Sequence, residues 1–176
     1  MYKLSSKPLI SKAELSERVN SLAAEIAAAG EFDILLGILT GSFVFVADLV
    51  RAMPKANEKG MRVKFFKASS YGDSTESGTL TVSGMENLDL TGKRVLLVDD
   101  ILDTGNTLYR LVPMLKERGA AVVKTCVLLD KPSRREAPIE ADFVGFKIEN
   151  KFVVGYGLDY ADDYRTLPEI MTMEEV

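Results

Sequence analysis

The chain has 176 residues, 47% hydrophobic and 27% charged, with a formal net charge of −4 and a sequence pI of about 5.0. That balance fits one soluble domain over residues 1–176 with a substantial core, and it offers no basic field to gather nucleic acid or an anionic membrane. The absence of histidine excludes Ser-His-Asp triads, Cys-His dyads and histidine-ligated zinc, while the one cysteine, Cys126, can close no intrachain disulfide, which fits a reducing cytoplasm.

In chain order, the first residues lack the apolar run and small-residue cleavage site of a secretory signal. Ser11 and Glu14 form the pattern of a capping box, and Leu15, Val19, Leu22 and Ile26 recur at helical spacing, predicting a helix that stops at Gly30. Ile34 to Leu39 predicts a buried strand, Leu39-Thr40-Gly41-Ser42 a strand-to-helix loop, and Phe43 to Met53 a helix stopped by Pro54. The apolar stretch Ile34 to Val50 is broken by Gly37, Thr40, Gly41, Ser42 and Asp48, so it is not a membrane span. Val63 to Lys67 reads as a strand, Ser69 to Gly78 as a mobile polar loop, and Thr79 to Val82 as a short strand.

Leu90-Thr91-Gly92-Lys93 reads as a turn, and Val95 to Val98 predicts a strand buried on both faces. Residues 99–107 are expected to form a loop, followed by a helix through Leu108, Leu111, Met114 and Leu115 that Pro113 distorts and that ends before Gly119. Val122 to Leu129, Phe143 to Ile148 and Phe152 to Val154 complete the strands. Strands alternating with helices, without a repeat or linker, predict an α/β fold with a mainly parallel sheet, whose ligands sit beyond the carboxyl ends of the strands.

That rule directs attention to Val95-Leu96-Leu97-Val98-Asp99-Asp100-Ile101-Leu102-Asp103-Thr104-Gly105-Asn106-Thr107-Leu108. The turn from Thr104 to Thr107 opens a helix, so its free N–H groups and hydroxyls suit a phosphate at the positive end of the dipole. Asp99 and Asp100 supply acceptor oxygens suited to sugar hydroxyls or Mg2+; the plainer reading is that these acids cap the strand end and the helix. No G-x-x-x-x-G-K-[ST] and no complete G-x-G-x-x-G is present, which removes support for kinase and dinucleotide readings.

The run VLLVDDILDTGNTL resembles the phosphoribosyl pyrophosphate-binding motif of the type I phosphoribosyltransferases. Further matches extend over residues 35–167 and are similar to the 6-oxopurine branch, the hypoxanthine-guanine phosphoribosyltransferase family: LTGS at 39–42, SSY at 69–71, Lys131, and DFVGFKIENKFVVGYGLDYADDYR at 142–165. The resemblance implies a central, mainly parallel sheet flanked by helices, with a small hood built from terminal segments. It implies transfer of ribose 5-phosphate to hypoxanthine or guanine, with xanthine as a further candidate base, and with IMP or GMP and pyrophosphate as products.

The residue roles implied by the resemblance are specific. Asp99, Asp100, Asp103, Thr104, Gly105, Asn106 and Thr107 would hold the phosphoribosyl group and its 5′-phosphate, with Asp103 also taking the proton from N7 of the base. Leu39, Thr40, Gly41 and Arg165 would bind pyrophosphate, and the Leu39-Thr40 peptide is cis in relatives. Lys131, Phe152, Val153 and Asp159 would bind the purine, Lys131 by donating to the oxygen at C6 and Phe152 by stacking. Ser70 and Tyr71 would belong to a closing loop, and Mg2+ would be associated with Asp99, Asp100 and Asp159. Relatives are dimers or tetramers, so a homodimer or homotetramer is expected, with phosphoribosyl pyrophosphate and a 6-oxopurine as the partners.

Two departures from the family pattern stand out: Thr40 where many members have lysine, and Asp99 where many have glutamate. Read without the family, Lys131 is a solvated lysine, Phe152 a core residue, and Arg165 an exposed partner of Asp162 or Asp163. The alternative function on this fold is a nucleotide-sensing RNA-binding regulator, which needs a basic face; Lys131, Arg134 and Arg135 are the tightest basic cluster available.

Overall fold

The structure, a computed structural model, describes residues 2–54, 60–71 and 79–175. Its elements are β1 (Tyr2–Leu4), α1 (Lys12–Ala28), β2 (Ile34–Leu39), α2 (Phe43–Ala52), β3 (Arg62–Tyr71), β4 (Thr79–Ser83), β5 (Arg94–Leu102), α3 (Asn106–Glu117), β6 (Val122–Asp130), β7 (Phe143–Lys147), β8 (Val153–Val154) and β9 (Met171–Glu175), with one 3-10 turn at Pro132–Arg134. The main sheet has the order β4-β3-β2-β5-β6-β7 and is parallel except for the β3–β4 pair.

Strand alternation builds two cores. On β5, Leu96 and Val98 face the helices α1 and α2, while Val95 and Leu97 face Leu108, Leu111 and Leu115 of α3. This burial on both faces explains the continuous apolar runs of β2 and β5. Helix α1 starts at the capping box: the Ser11 hydroxyl accepts from the Glu14 N–H, and the Glu14 carboxylate accepts from the Ser11 N–H at 2.8 Å. Leu15, Val19, Leu22, Ala23 and Ile26 form its buried stripe. Helix α3 continues through Pro113, which lies on its exposed side.

Two sequence expectations are corrected. Strand β5 does not end at Val98 but runs on through both acids, because its ladder with β6 continues to the Leu102–Asp130 pair. Likewise β3 extends through Ser69, Ser70 and Tyr71, which pair with Thr81, Leu80 and Thr79 of β4 instead of opening the expected loop. The rest of that loop, 72–78, lies outside the described residues. The short strand expected at Phe152 to Val154 is present as β8, which pairs with β9, and β9 with β1, in a separate three-stranded sheet, the hood that the resemblance implied. No helix among the described residues is long and apolar enough to cross a membrane.

Candidate active site

From β2 the chain passes outward to β3, whereas from β5 it passes to β6 and β7 in the opposite direction. The carboxyl ends of β2 and β5 therefore flank the crevice where open α/β sheets bind ligands. Leu39, Thr40 and Gly41 leave β2 there through a cis Leu39-Thr40 peptide, and Asp99 to Asp103 leave β5 beside them. The Ser42 hydroxyl, buried, donates to the Ile38 carbonyl at 2.5 Å and anchors the loop to its strand.

Contact between the two ends explains Gly41. A methyl group built on it would overlap Oδ2 of Asp100, and one built on Gly157 would come within 2.5 Å of the Gly41 carbonyl. The loop after β8 thus closes over the same point. Tyr156 pins that loop to α2 by donating its hydroxyl to Asp48 Oδ2 at 2.5 Å, and burial together with this bond pushes the phenol well above its usual pKa. Tyr156, Ala161, Asp162 and Tyr164 all hold left-handed φ angles of 52 to 72°. Such conformations persist where surrounding structure enforces them.

Arg165 is held at the end of this loop. It donates to the Gly157 carbonyl at 2.9 Å and pairs with Asp159 and Asp162, each at 3.0 Å. The ion pair with Asp162 anticipated by the plainer reading is present, Asp159 is a second partner, and the Arg165 charge also favours the ionised form of Asp100. Asp159 is fully engaged, since its second oxygen accepts from the Asp162 N–H at 2.8 Å. Among the described residues no three Asp, Glu, His or Cys side chains form a cluster able to hold a metal, so Asp159 does not join Asp99 and Asp100 in a three-acid set.

Asp99 and Asp100 sit side by side. The Asp100 N–H donates to Asp99 Oδ1 at 2.9 Å, and the Ile101 N–H to Asp100 Oδ1 at 2.7 Å. Burial raises both carboxyls above the ordinary range, and the Asp100 charge raises Asp99 further. A group with a raised folded pKa stabilises fully below its unfolded value of about 3.8 and loses that contribution as pH climbs through the folded value. Asp99→Asn is therefore expected to be more stable than the parent at neutral pH, with the gap closing as pH falls toward 4. Thermal melts of both proteins across pH 4–8 check this; a gap that persists at pH 4 contradicts it.

The acids do not cap α3. Its N-cap is Gly105, at φ 86° and without a side-chain cap bond, so no N-cap side chain occupies the positive helix end. The Thr104 hydroxyl makes only a 3.4 Å contact with the Asn106 N–H, and the Asn106 amide donates to Glu136 at 3.2 Å. The Thr104 carbonyl is tied down by the N–H groups of Glu136 and Ala137 at 2.9 and 3.0 Å. Thr107 follows in the first turn of α3.

Beside this turn, Asp103 is about half exposed and pairs with Arg134 Nε at 3.1 Å. Arg135, which the sequence singled out only as a basic residue, donates to the carbonyls of Leu102 and Asp103 and to Asp130, bracing the strand end. Lys131 is only 6% exposed; burial lowers its pKa, and the nearby Asp103 charge opposes that shift. It is not the solvated lysine of the plainer reading. Phe152 is 44% exposed, not core, while Val153 is buried in β8. Ser70 and Tyr71 end β3, their backbone paired with β4.

A Thr-Gly loop, an acid pair and a helix start without a side-chain cap meet at one switch point, and residues 11–161 match the family model described as phosphoribosyl transferase domain, which makes the chain a phosphoribosyltransferase. The chain is 42% identical over 173 residues to the hypoxanthine-guanine phosphoribosyltransferase of Aquifex aeolicus, covering 96% of this chain and 95% of that one. It is 44% identical over 168 residues to the hypoxanthine phosphoribosyltransferase of Escherichia coli, covering 92% of each. Its fold is similar to the crystal structure of a hypoxanthine-guanine phosphoribosyltransferase from Bacillus anthracis, with a TM-score of 0.87 at 36% identity, covering 99% of this chain and 100% of that one. The chain belongs to the hypoxanthine-guanine phosphoribosyltransferase family.

Proposed function

We propose that this site transfers the 5-phosphoribosyl group of phosphoribosyl pyrophosphate to hypoxanthine, guanine or xanthine, a purine-salvage pentosyltransferase reaction. One observation carries the choice of base: the buried Lys131 ammonium lies within electrostatic reach of the Asp103 carboxylate. A 6-oxopurine presents an acceptor at O6 next to a proton at N7, and this donor and acceptor match that edge. An amino group at C6 would face a cation that can only donate, so adenine is disfavoured.

In the proposed reaction N9 of the base forms a bond to C1′ as the C1′–oxygen bond to pyrophosphate breaks, and that electron pair leaves with pyrophosphate. The N7 proton passes to Asp103. The turn Asp103 to Thr107 holds the 5′-phosphate, and Leu39, Thr40, Gly41 and Arg165 hold pyrophosphate. With Thr40 in place of a lysine, the loop relies on backbone donors and Arg165. Phe152 stacks on the base, and the backbone near Val153 and Asp159 faces its C2 edge. Ser70 and Tyr71 take part in closing the site and excluding water.

The donor set fits Mg2+: burial raises both adjacent carboxyls and the Asp100 charge raises Asp99 further, and a hard divalent cation removes that penalty. Asp99 and Asp100 would hold it with substrate oxygens, since Mg2+ commonly takes one or two carboxylates plus phosphate ligands; Asp159, bound to Arg165, would approach only after that pair opens. When bound, the ion supplies positive charge for departing pyrophosphate.

The RNA-binding regulator is not favoured, because Arg134 and Arg135 of the basic cluster are committed to Asp103 and Asp130. A cytoplasmic homodimer or homotetramer of one domain is the accompanying proposal; the Trypanosoma cruzi relative, TM-score 0.88, was studied for the effect of its C-terminal region on oligomeric state and activity. Calorimetric titration with phosphoribosyl pyrophosphate, with and without Mg2+, tests the ligand assignment. Mg2+-dependent binding lost in Asp99→Asn/Asp100→Asn supports it; binding indifferent to both changes overturns it.

A further inference from the structure

Eight large hydrophobic side chains of the described residues are exposed, and three of them touch one another: Tyr2 at 46%, Phe152 at 44% and Tyr160 at 41%. Their ring centroids lie 5.9 Å apart for Tyr2–Phe152, 5.7 Å for Tyr2–Tyr160 and 5.6 Å for Phe152–Tyr160. The rings come from three separate segments: the first strand of the hood, the residue before β8, and the loop that carries Asp159 and Arg165.

The hood's own small core does not require them. It consists of Val154, Met171 and Met173, with Leu4 and Leu167 packed against it. Alternation places Tyr2 on the face of Leu4, and Phe152 on that of Val154, so the three rings continue the apolar face outward from this core. Tyr160 meets Phe152 edge-on at 87°, and Tyr2 meets it at a 37° tilt. Offset and edge-to-face contacts of this kind fix ring orientation. Phe152 is thereby held from two directions while nearly half its surface stays open.

We infer that Tyr2 and Tyr160 are positioning residues for the purine, holding the Phe152 ring in its stacking orientation, so that the first strand of the hood belongs to the base site. This rests on the assignment of Phe152 to the base. A ring already ordered loses less freedom when it stacks, which favours base affinity without touching the phosphate end of the site.

Steady-state kinetics of Tyr2→Leu, Tyr160→Leu and Phe152→Leu test the inference, with Tyr2→Phe and Tyr160→Phe as conservative partners. Each Tyr→Leu change is expected to raise the KM for the purine about 3- to 10-fold, the range of one aromatic pair, while the KM for phosphoribosyl pyrophosphate holds. The Phe variants should restore the parent value, and Tyr2→Leu should add nothing in a Phe152→Leu background. An unchanged purine KM in both Tyr→Leu variants, parallel rises for both substrates, or additive effects with Phe152→Leu would overturn it. If Phe152→Leu itself leaves the purine KM unchanged, the base assignment falls and this inference with it. Should Tyr2→Leu fail to fold, Tyr160→Leu carries the same test from the loop.

Discussion

Asp103→Asn is expected to lower kcat by about 10²- to 10⁴-fold, the usual contribution of a positioned general base, while phosphoribosyl pyrophosphate still binds. The amide preserves shape and can accept a hydrogen bond, but it cannot take the N7 proton. Asp103 is suited to the role by its position. It is half exposed at the mouth of β5, its backbone carbonyl braced by Arg135, and its carboxylate paired with Arg134. The chain has no histidine to compete for the proton, and Asp103 is the acidic residue at this strand end that the resemblance assigns to it. Pre-steady-state product formation measures the chemical step directly. A kcat within threefold of the parent would remove Asp103 from proton transfer.

Gly41→Ala is expected to cost about 100-fold in kcat/KM, because displacing a positioned group by about 1 Å has effects of that order. Gly41 is not required by its backbone angles, since it is absent from the glycines at positive φ. It is required by Asp100, whose carboxylate oxygen occupies the space of a Cβ. The methyl group must either turn Asp100 away from the Ile101 N–H or lift the loop that binds pyrophosphate. Either movement separates the two halves of the crevice. Core burial is untouched, so thermal stability should change little while affinity for phosphoribosyl pyrophosphate falls. Parent-like affinity in the alanine variant would mean that the loop and Asp100 act independently.

Local signals made part of the fold legible. Ser11 and Glu14 marked the start of α1, and the apolar run Ile34 to Leu39 matched β2 at both ends. Where elements run longer than their apolar pattern, backbone pairing explains the extra length. β5 continues through Asp99 and Asp100 because β6 still offers partners, and β3 continues through Ser69 to Tyr71 because β4 folds back on it. Strands β1 and β9 carry little pattern of their own. They form by pairing across almost the whole chain, Tyr2 with Glu175, and only the family resemblance anticipated a hood from terminal segments.

The candidate site was legible in a similar way. The run from Asp99 to Thr107 is contiguous, so its acceptor acids and helix-start turn could be read from spacing, while the role of Asp103 came only from the resemblance. Lys131 and Phe152 could not be interpreted from composition, since a buried lysine and an exposed phenylalanine both invert the usual preference. Tyr2 and Tyr160 left no signal, because three distant segments bring the rings together. The bracing by Arg135 was equally hidden, as its carbonyl partners have no sequence signature.

The most direct test is nucleotide formation from phosphoribosyl pyrophosphate and Mg2+ with hypoxanthine, guanine, xanthine, adenine and uracil supplied one at a time. Turnover is expected with one or more oxopurines, with adenine and uracil at background. Turnover of adenine equal to hypoxanthine would contradict the pairing of Lys131 and Asp103 with the O6 and N7 edge, and no turnover of any base would contradict the transferase itself.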